Sequence, residues 1–278
     1  MKKLLAVALI MLGIGLICAF FVFDKNDLTK IKGEPYTQEK TVDSDSIRSI
    51  HTETDTFNLE FVRGDSDEIQ LRLEGNASKR FLDKIVLNAV PKGDTLYIES
   101  FHSNKFTIGW SMINLKLIVE LPDREWDSVD IVSDTGNIVI DQLHANTVNL
   151  QSDIGNVKAS NYEVQELSFE SDTGNVTLLD GSGVLKGESD IGNIRIETNQ
   201  LLNDVFLQSD TGNVTINVDK QPESAAIRIK KDIGSSKINW DGFEKDNDKK
   251  YTMSGKIGSG DIHIDINSEI GNIKLGTR

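Results

Sequence analysis

Three tripeptides, Asp134-Thr135-Gly136, Asp172-Thr173-Gly174 and Asp210-Thr211-Gly212, carry the residue types of an aspartic-protease centre. In such a centre two carboxylates approach closely enough to share one proton. Here the copies alternate with Asp153-Ile154-Gly155 and Asp190-Ile191-Gly192, so a recurring turn accounts for all of them. The same five aspartates raise a second possibility. Stacked roughly 5 Å apart they would repel one another, and Ca²⁺ could bridge them with help from asparagine oxygens. The chain lacks the Gly-Gly-x-Gly-x-Asp nonapeptide of calcium-binding β-rolls, so backbone capping or water is expected to satisfy these acids and no metal ligand is assigned. The histidines at 51, 102, 144 and 263 stand singly, without the spacing of a zinc site. No Gly-x-Ser-x-Gly elbow and no phosphate-binding glycine loop is present. The sequence therefore assigns no catalytic residue, no cofactor and no metal.

What must position these residues is a longer repeat, Ser-Asp-(Thr/Ile)-Gly-Asn-(Ile/Val). Its turn residues are Asp134, Gly136 and Asn137; Asp153, Gly155 and Asn156; Asp172, Gly174 and Asn175; Asp190, Gly192 and Asn193; Asp210, Gly212 and Asn213; and, in a weaker copy, Gly271 and Asn272. Fainter echoes fall at Gly234 and Gly258. A period near 20 residues is too short for a domain and suits one coil that must stack on neighbours to bury a core. Each unit reads as two alternating strands around the motif, as in Val148 to Ser152 followed by Val157 to Ala159. Glycine suits the turn because it tolerates positive φ, and Asp and Asn can bond local backbone. In-register stacking would lay like Asn and Ser side chains into hydrogen-bonded ladders. The expected fold is all-β: a right-handed β-solenoid, or β-helix-like repeat stack, preceded by one N-terminal transmembrane helix. An antiparallel β meander or sandwich is the alternative, since Gly-Asn between strands also fits a hairpin.

Four segments follow. Residues 1–23 read as a transmembrane signal anchor, because Leu4 to Phe23 is an uncharged run of 20 residues after Lys2 and Lys3, long enough to span a bilayer core. It has no small-x-small cleavage site. Residues 24–41 read as a linker, 42–126 as an irregular β segment with a short helical pattern at 78–86, and 127–278 as the repeat stack, continuous with 42–126. Within the stack, 241–250 reads as a surface loop and 251–278 as a cap. Arg63-Gly64-Asp65 spells an integrin-recognition tripeptide but lies in a polar cluster that reads as an ordinary turn. A formal charge of −14 opposes nucleic-acid binding. The one cysteine, Cys18, falls in the apolar run and leaves none for a disulfide in the folded part.

Ile47-Arg48-Ser49-Ile50, Asp67-Glu68-Ile69-Gln70-Leu71, Leu115 to Pro122 and the Ser-Asp-x-Gly-Asn series together resemble the bacterial membrane-anchored, adhesin-like proteins with β-strand repeats. The resemblance covers residues 42–278 and implies an outward-facing β-helical domain in the cell envelope with no assigned catalysis. Function is thus expected to be non-enzymatic: an adhesin or envelope-stress-associated scaffold at the cell membrane, its C-terminal domain extracytoplasmic. Its expected partners are the membrane, through residues 4–23, and an envelope protein or cell-wall polymer. The alternative is a carbohydrate-active enzyme, an idea that rests on fold analogy.

Overall fold

Period-two alternation decides which face of each strand turns inward. From Val148 to Ser152 burial alternates residue by residue, with Val148, Leu150 and Ser152 inside and Asn149 and Gln151 outside. The computed structural model describes residues 33–102 and 113–278. These residues are all-β apart from a 3-10 turn at Lys79–Lys84, inside the segment with the helical pattern. The strands form two sheets, of 11 and 12 strands.

Most strands pair off into rungs, each giving one strand to the 12-stranded sheet and the next to the 11-stranded sheet. Numbered along the stack, rung 1 is Thr95–His102 with Ile113–Pro122, rung 2 is Ser49–Thr54 with Asn58–Gly64, and rung 3 is Trp126–Thr135 with Ile138–Asp141. Rung 4 is His144–Ile154 with Val157–Ser160, rung 5 Glu163–Thr173 with Val176–Leu179, and rung 6 Ser182–Ile191 with Ile194–Gln200. Rung 7 is Val205–Thr211 with Val214–Lys220, rung 8 Ile262–Ile270 with Ile273–Thr277, and rung 9 Ala225–Ile233 with Ser236–Ile238. Neighbouring rungs pair parallel and in register, as Val157 does with Ile138 on one side and Val176 on the other. At about 4.8 Å per step the nine rungs extend about 40 Å. The antiparallel meander is excluded for the repeat, because parallel neighbours cannot be joined by a two-residue hairpin.

Two features depart from the sequence expectation. Both ends of the stack are interleaved: rung 2 precedes rung 1 in the chain yet lies inside it, and rung 8 follows rung 9 yet lies between rungs 7 and 9. Of the expected cap at 251–278, residues 262–277 instead make an internal rung, and only Thr252–Ile257 lies outside rung 9. The outer covering of the 12-stranded sheet comes from the antiparallel strands Thr252–Ile257 and Glu244–Lys249, so a strand occupies the expected loop at 241–250. At the other end Ile69–Ala77 and Glu34–Val42 continue the 11-stranded sheet antiparallel, and Ile85–Lys92 continues the other. The expected linker thus already contains a strand from residue 34. Among the described residues no helix is long and apolar enough to cross a membrane; the expected anchor lies outside them, as does Cys18.

The core is a set of like side chains piled rung upon rung. Ile138, Val157, Val176, Ile194, Val214 and Ile273 occupy one register line, each at most 1% exposed. Burying a side chain of this size stabilises by about 1.5–3 kcal/mol, so no single rung is stable without its neighbours. Arg278 fastens rung 8: its guanidinium takes both carboxylate oxygens of Asp219 at 2.8 and 3.0 Å and reaches Asp180 at 2.7 Å.

His102 ends the first strand of rung 1, its ring edge-on to Phe81 at 4.8 Å and its Nε2 buried. Burial, and secondarily Lys84, holds its pKa below the ordinary 6.5, with Asp55 pulling weakly upward. The folded state disfavours the charged ring, so this stability is complete above about pH 6.5 and is lost as pH falls toward the depressed value. His102→Phe is expected to flatten the acid side of a Tm-against-pH curve; an unchanged slope would refute this.

Candidate binding site

The repeated tetrapeptide is the corner at which each rung passes from one sheet to the other. Its glycines lie on a line, in the order 136, 155, 174, 192, 212, 271 and 234, and a Cβ on any of the last six would fall 1.7–1.9 Å from the carbonyl oxygen of the glycine on the rung before it. Close approach of backbone is therefore the common requirement. Positive φ is not, for it occurs at Gly136, Gly174, Gly212 and Gly234 but not at Gly155, Gly192 or Gly271. Gly258 lies off this line, in a separate turn facing Glu223. Rung 2 turns the same corner at Asp55-Thr56-Phe57-Asn58, with Phe57 in the glycine's place; its carbonyl meets Gly136. The flanking Thr54, Asp55 and Asn58 are the signal that could have revealed this copy. The opposite corner uses Gln142, Asn161 and Asp180 at φ 59°, 54° and 48°, side chains among which Asn and Asp tolerate the left-handed region best.

The asparagines form the expected ladder. Each Oδ1 accepts from the backbone N–H and the Nδ2 of the next Asn, at 2.9–3.1 Å, through Asn58, 137, 156, 175, 193, 213 and 272. The serines do not. Ser133, 152, 171, 189, 209 and 268 are buried with hydroxyls that reach no partner, because rung spacing exceeds hydrogen-bond length. Asn175→Ala removes three bonds and is expected to cost about 1–2 kcal/mol, whereas Ser171→Ala should leave stability unchanged or raise it by up to about 1 kcal/mol. Thermal melts of the two variants check this, and equal losses would contradict it.

Of the two roles expected for the aspartates, backbone capping is not the one seen. Asp134, 153, 172, 190 and 210 point outward and make no backbone bond among the described residues, so they do not cap the turn. Among those residues no group of three or more His, Cys, Asp or Glu side chains is placed to hold a metal ion. The Asp-Thr-Gly acids sit two rungs apart, which rules out a shared proton. Arg63 pairs with Asp123 at 2.7 Å and Gly64 aligns with Pro122 on the next strand, so the integrin-like tripeptide is not a free loop.

An open trough of about 670 Å³ lies on the outer face of the 12-stranded sheet. Outward positions of rungs 3 to 9 line up along it in two rows. One row runs Asp130, Asn149, Ser168, Lys186, Phe206, Asp265, Arg228. The other runs Val132, Gln151, Glu170, Glu188, Gln208, Asn267. The first row is largely engaged: Asn149 donates to Asp130 at 2.6 Å, Ser168 to Asn149, and Arg228 pairs with Asp265 at 2.7 Å. Lys186 is held to Glu166 at 2.7 Å. Phe206 is 39% exposed, and its ring is the only aromatic side chain in the trough wall besides the buried Phe169. Trp126 and Trp240 are core residues. In the second row Gln151, Glu170, Glu188 and Gln208 have no partner among the described residues. Interior strands of the floor pair on both sides, so their backbone groups are spent and binding must use side chains.

The family model described as Toastrack DUF4097 matches residues 47–184 and 179–276. Solved structures to which this chain is similar include a "putative cell adhesion protein" from Clostridium sporogenes, at 16% identity over 88% of this chain and 100% of that one, TM-score 0.43. A "putative adhesin" from Bacteroides fragilis shares 14% identity over 87% and 97%, TM-score 0.47. Another from Parabacteroides distasonis shares 11% over 88% and 98%, TM-score 0.40. No curated protein matches. Likenesses at these scores carry no argument about activity.

Proposed function

This chain belongs to the Toastrack DUF4097 family, and from that premise we propose a non-enzymatic scaffold, a right-handed β-solenoid that binds an extended polymer of the bacterial envelope along its trough. Residues 4–23 anchor it in the cell membrane with the stack on the extracytoplasmic side, and nucleic acid is not a partner. The observation that carries this reading is the trough itself: side chains repeated at rung spacing on a rigid floor with no free backbone groups. An elongated ligand can engage several rungs at once, and a compact one cannot.

Glu170 and Glu188 are the observation that favours the second reading, a glycan-cleaving enzyme. Adjacent rungs set their strands about 4.8 Å apart, a spacing compatible with the roughly 5 Å carboxyl separation of retaining glycosidases. Such chemistry needs environments that separate the two acids into a proton donor and a nucleophile. These two are alike: both exposed, each with a glutamine as its other neighbour. Incubating the full chain with purified peptidoglycan, teichoic acid and neutral polysaccharides tests the choice. Sedimentation with a polymer and no new product is the expected result. Product formation lost in Glu170→Gln would establish the enzyme instead.

A further inference from the structure

The trough also carries a chemical preference, which rests on the binding role just proposed. We infer that it selects glycans bearing free, protonated amines, seating an ammonium group between Glu170 and Glu188. Its cations are already committed, Lys186 to Glu166 and Arg228 to Asp265, and Asp130 is held by Asn149. The charge left unanswered in the middle of the trough is the Glu170 and Glu188 pair, in register on rungs 5 and 6. Lys230 lies three rungs from Glu188, on rung 9, beyond effective pairing. Two like charges on adjacent rungs repel, and a ligand cation between them relieves both. An anionic polymer such as a polyphosphate would add to the repulsion.

The surroundings suit a sugar better than a basic peptide. Gln151 and Gln208 flank the acids symmetrically, each offering a donor and an acceptor to hydroxyl groups. Phe206, on the rung next to Glu188 in the adjoining row, offers an apolar ring face to a pyranose. A peptide would gain its affinity by joining the sheet through its backbone, and the floor strands leave it no edge.

The test uses the full chain in detergent micelles, with calorimetric titration of a glucosamine hexamer, its fully N-acetylated counterpart and a lysine hexapeptide, each with chelator present. Glucosamine hexamer is expected to bind about tenfold or more tightly than the acetylated form, with the gap shrinking at high salt. The exposed double variant Glu170→Gln, Glu188→Gln should close that gap by weakening the glucosamine hexamer, and Phe206→Ala should weaken both oligomers. Equal affinities in the native chain, a gap that survives the double variant, or tighter binding of the lysine peptide would each overturn the inference. Equal binding of both glycans leaves the scaffold reading standing. Failure of both oligomers and of every envelope polymer removes the two together.

Discussion

Gly174→Ala is expected to disrupt the stack at its middle. The added carbon would lie 1.7 Å from the carbonyl oxygen of Gly155, a backbone atom with no rotamer to escape into. Rungs 4 and 5 would have to separate, straining the bonds from Gly155 to Thr173 at 2.9 Å and from Val157 to Asn175 at 2.9 Å. Several backbone bonds and the packing of Val157 on Val176 are at stake together, which places the cost at about 4 kcal/mol or more and the fall in Tm near 10 °C. Gly242 provides the control. It has φ +71°, but a Cβ added there would meet nothing within 4 Å, so Gly242→Ala should cost only about 1 kcal/mol, from backbone strain. Far-UV circular dichroism melts of the pair decide it: similar curves would mean that close approach is not what demands glycine at the corner.

Removing residues 262–278 is expected to cost more than the rung it deletes. In a simple stack, loss of the last segment exposes one new end. Here Ile227 and Ile229 of rung 9 pack beside Ile264 and Ile266 of rung 8, so deleting the latter leaves rung 9 without its neighbour and strips rung 7 of the Ile273 that covers Val214. The antiparallel pair that joins rung 9 goes with it. Limited proteolysis followed by mass spectrometry should show protection ending near Lys220, with 221–261 digested although still encoded. Protection persisting across 225–257 would show that rung 9 docks directly on rung 7, against this account.

The repeat and its asparagine ladder were legible because identical residues at one spacing report an identical local environment. The order of the rungs was not. Gly234 precedes Gly271 in the chain and follows it in space, and spacing along the sequence holds no information about which coil lies beside which. The glycine requirement was read for a partly mistaken reason: a turn and a close approach both favour a residue without Cβ, and only coordinates tell them apart. Phe57 hid a corner because it breaks the tetrapeptide at its most recognisable position. The trough was invisible for a different cause. Outward positions along the trough carry no repeated residue type, so Gln151, Glu170, Glu188 and Gln208 read as scattered polar side chains until the register brings them side by side.

The interleaving of the ends bears on synthesis as well as stability. A ribosome delivers residues 225–238 before 262–277, yet the earlier stretch is the outer one. The nascent chain cannot complete its far end in the order in which it emerges, and must hold that stretch aside until residues 262–277 have followed it. Rung 9 can dock only once rung 8 has been made.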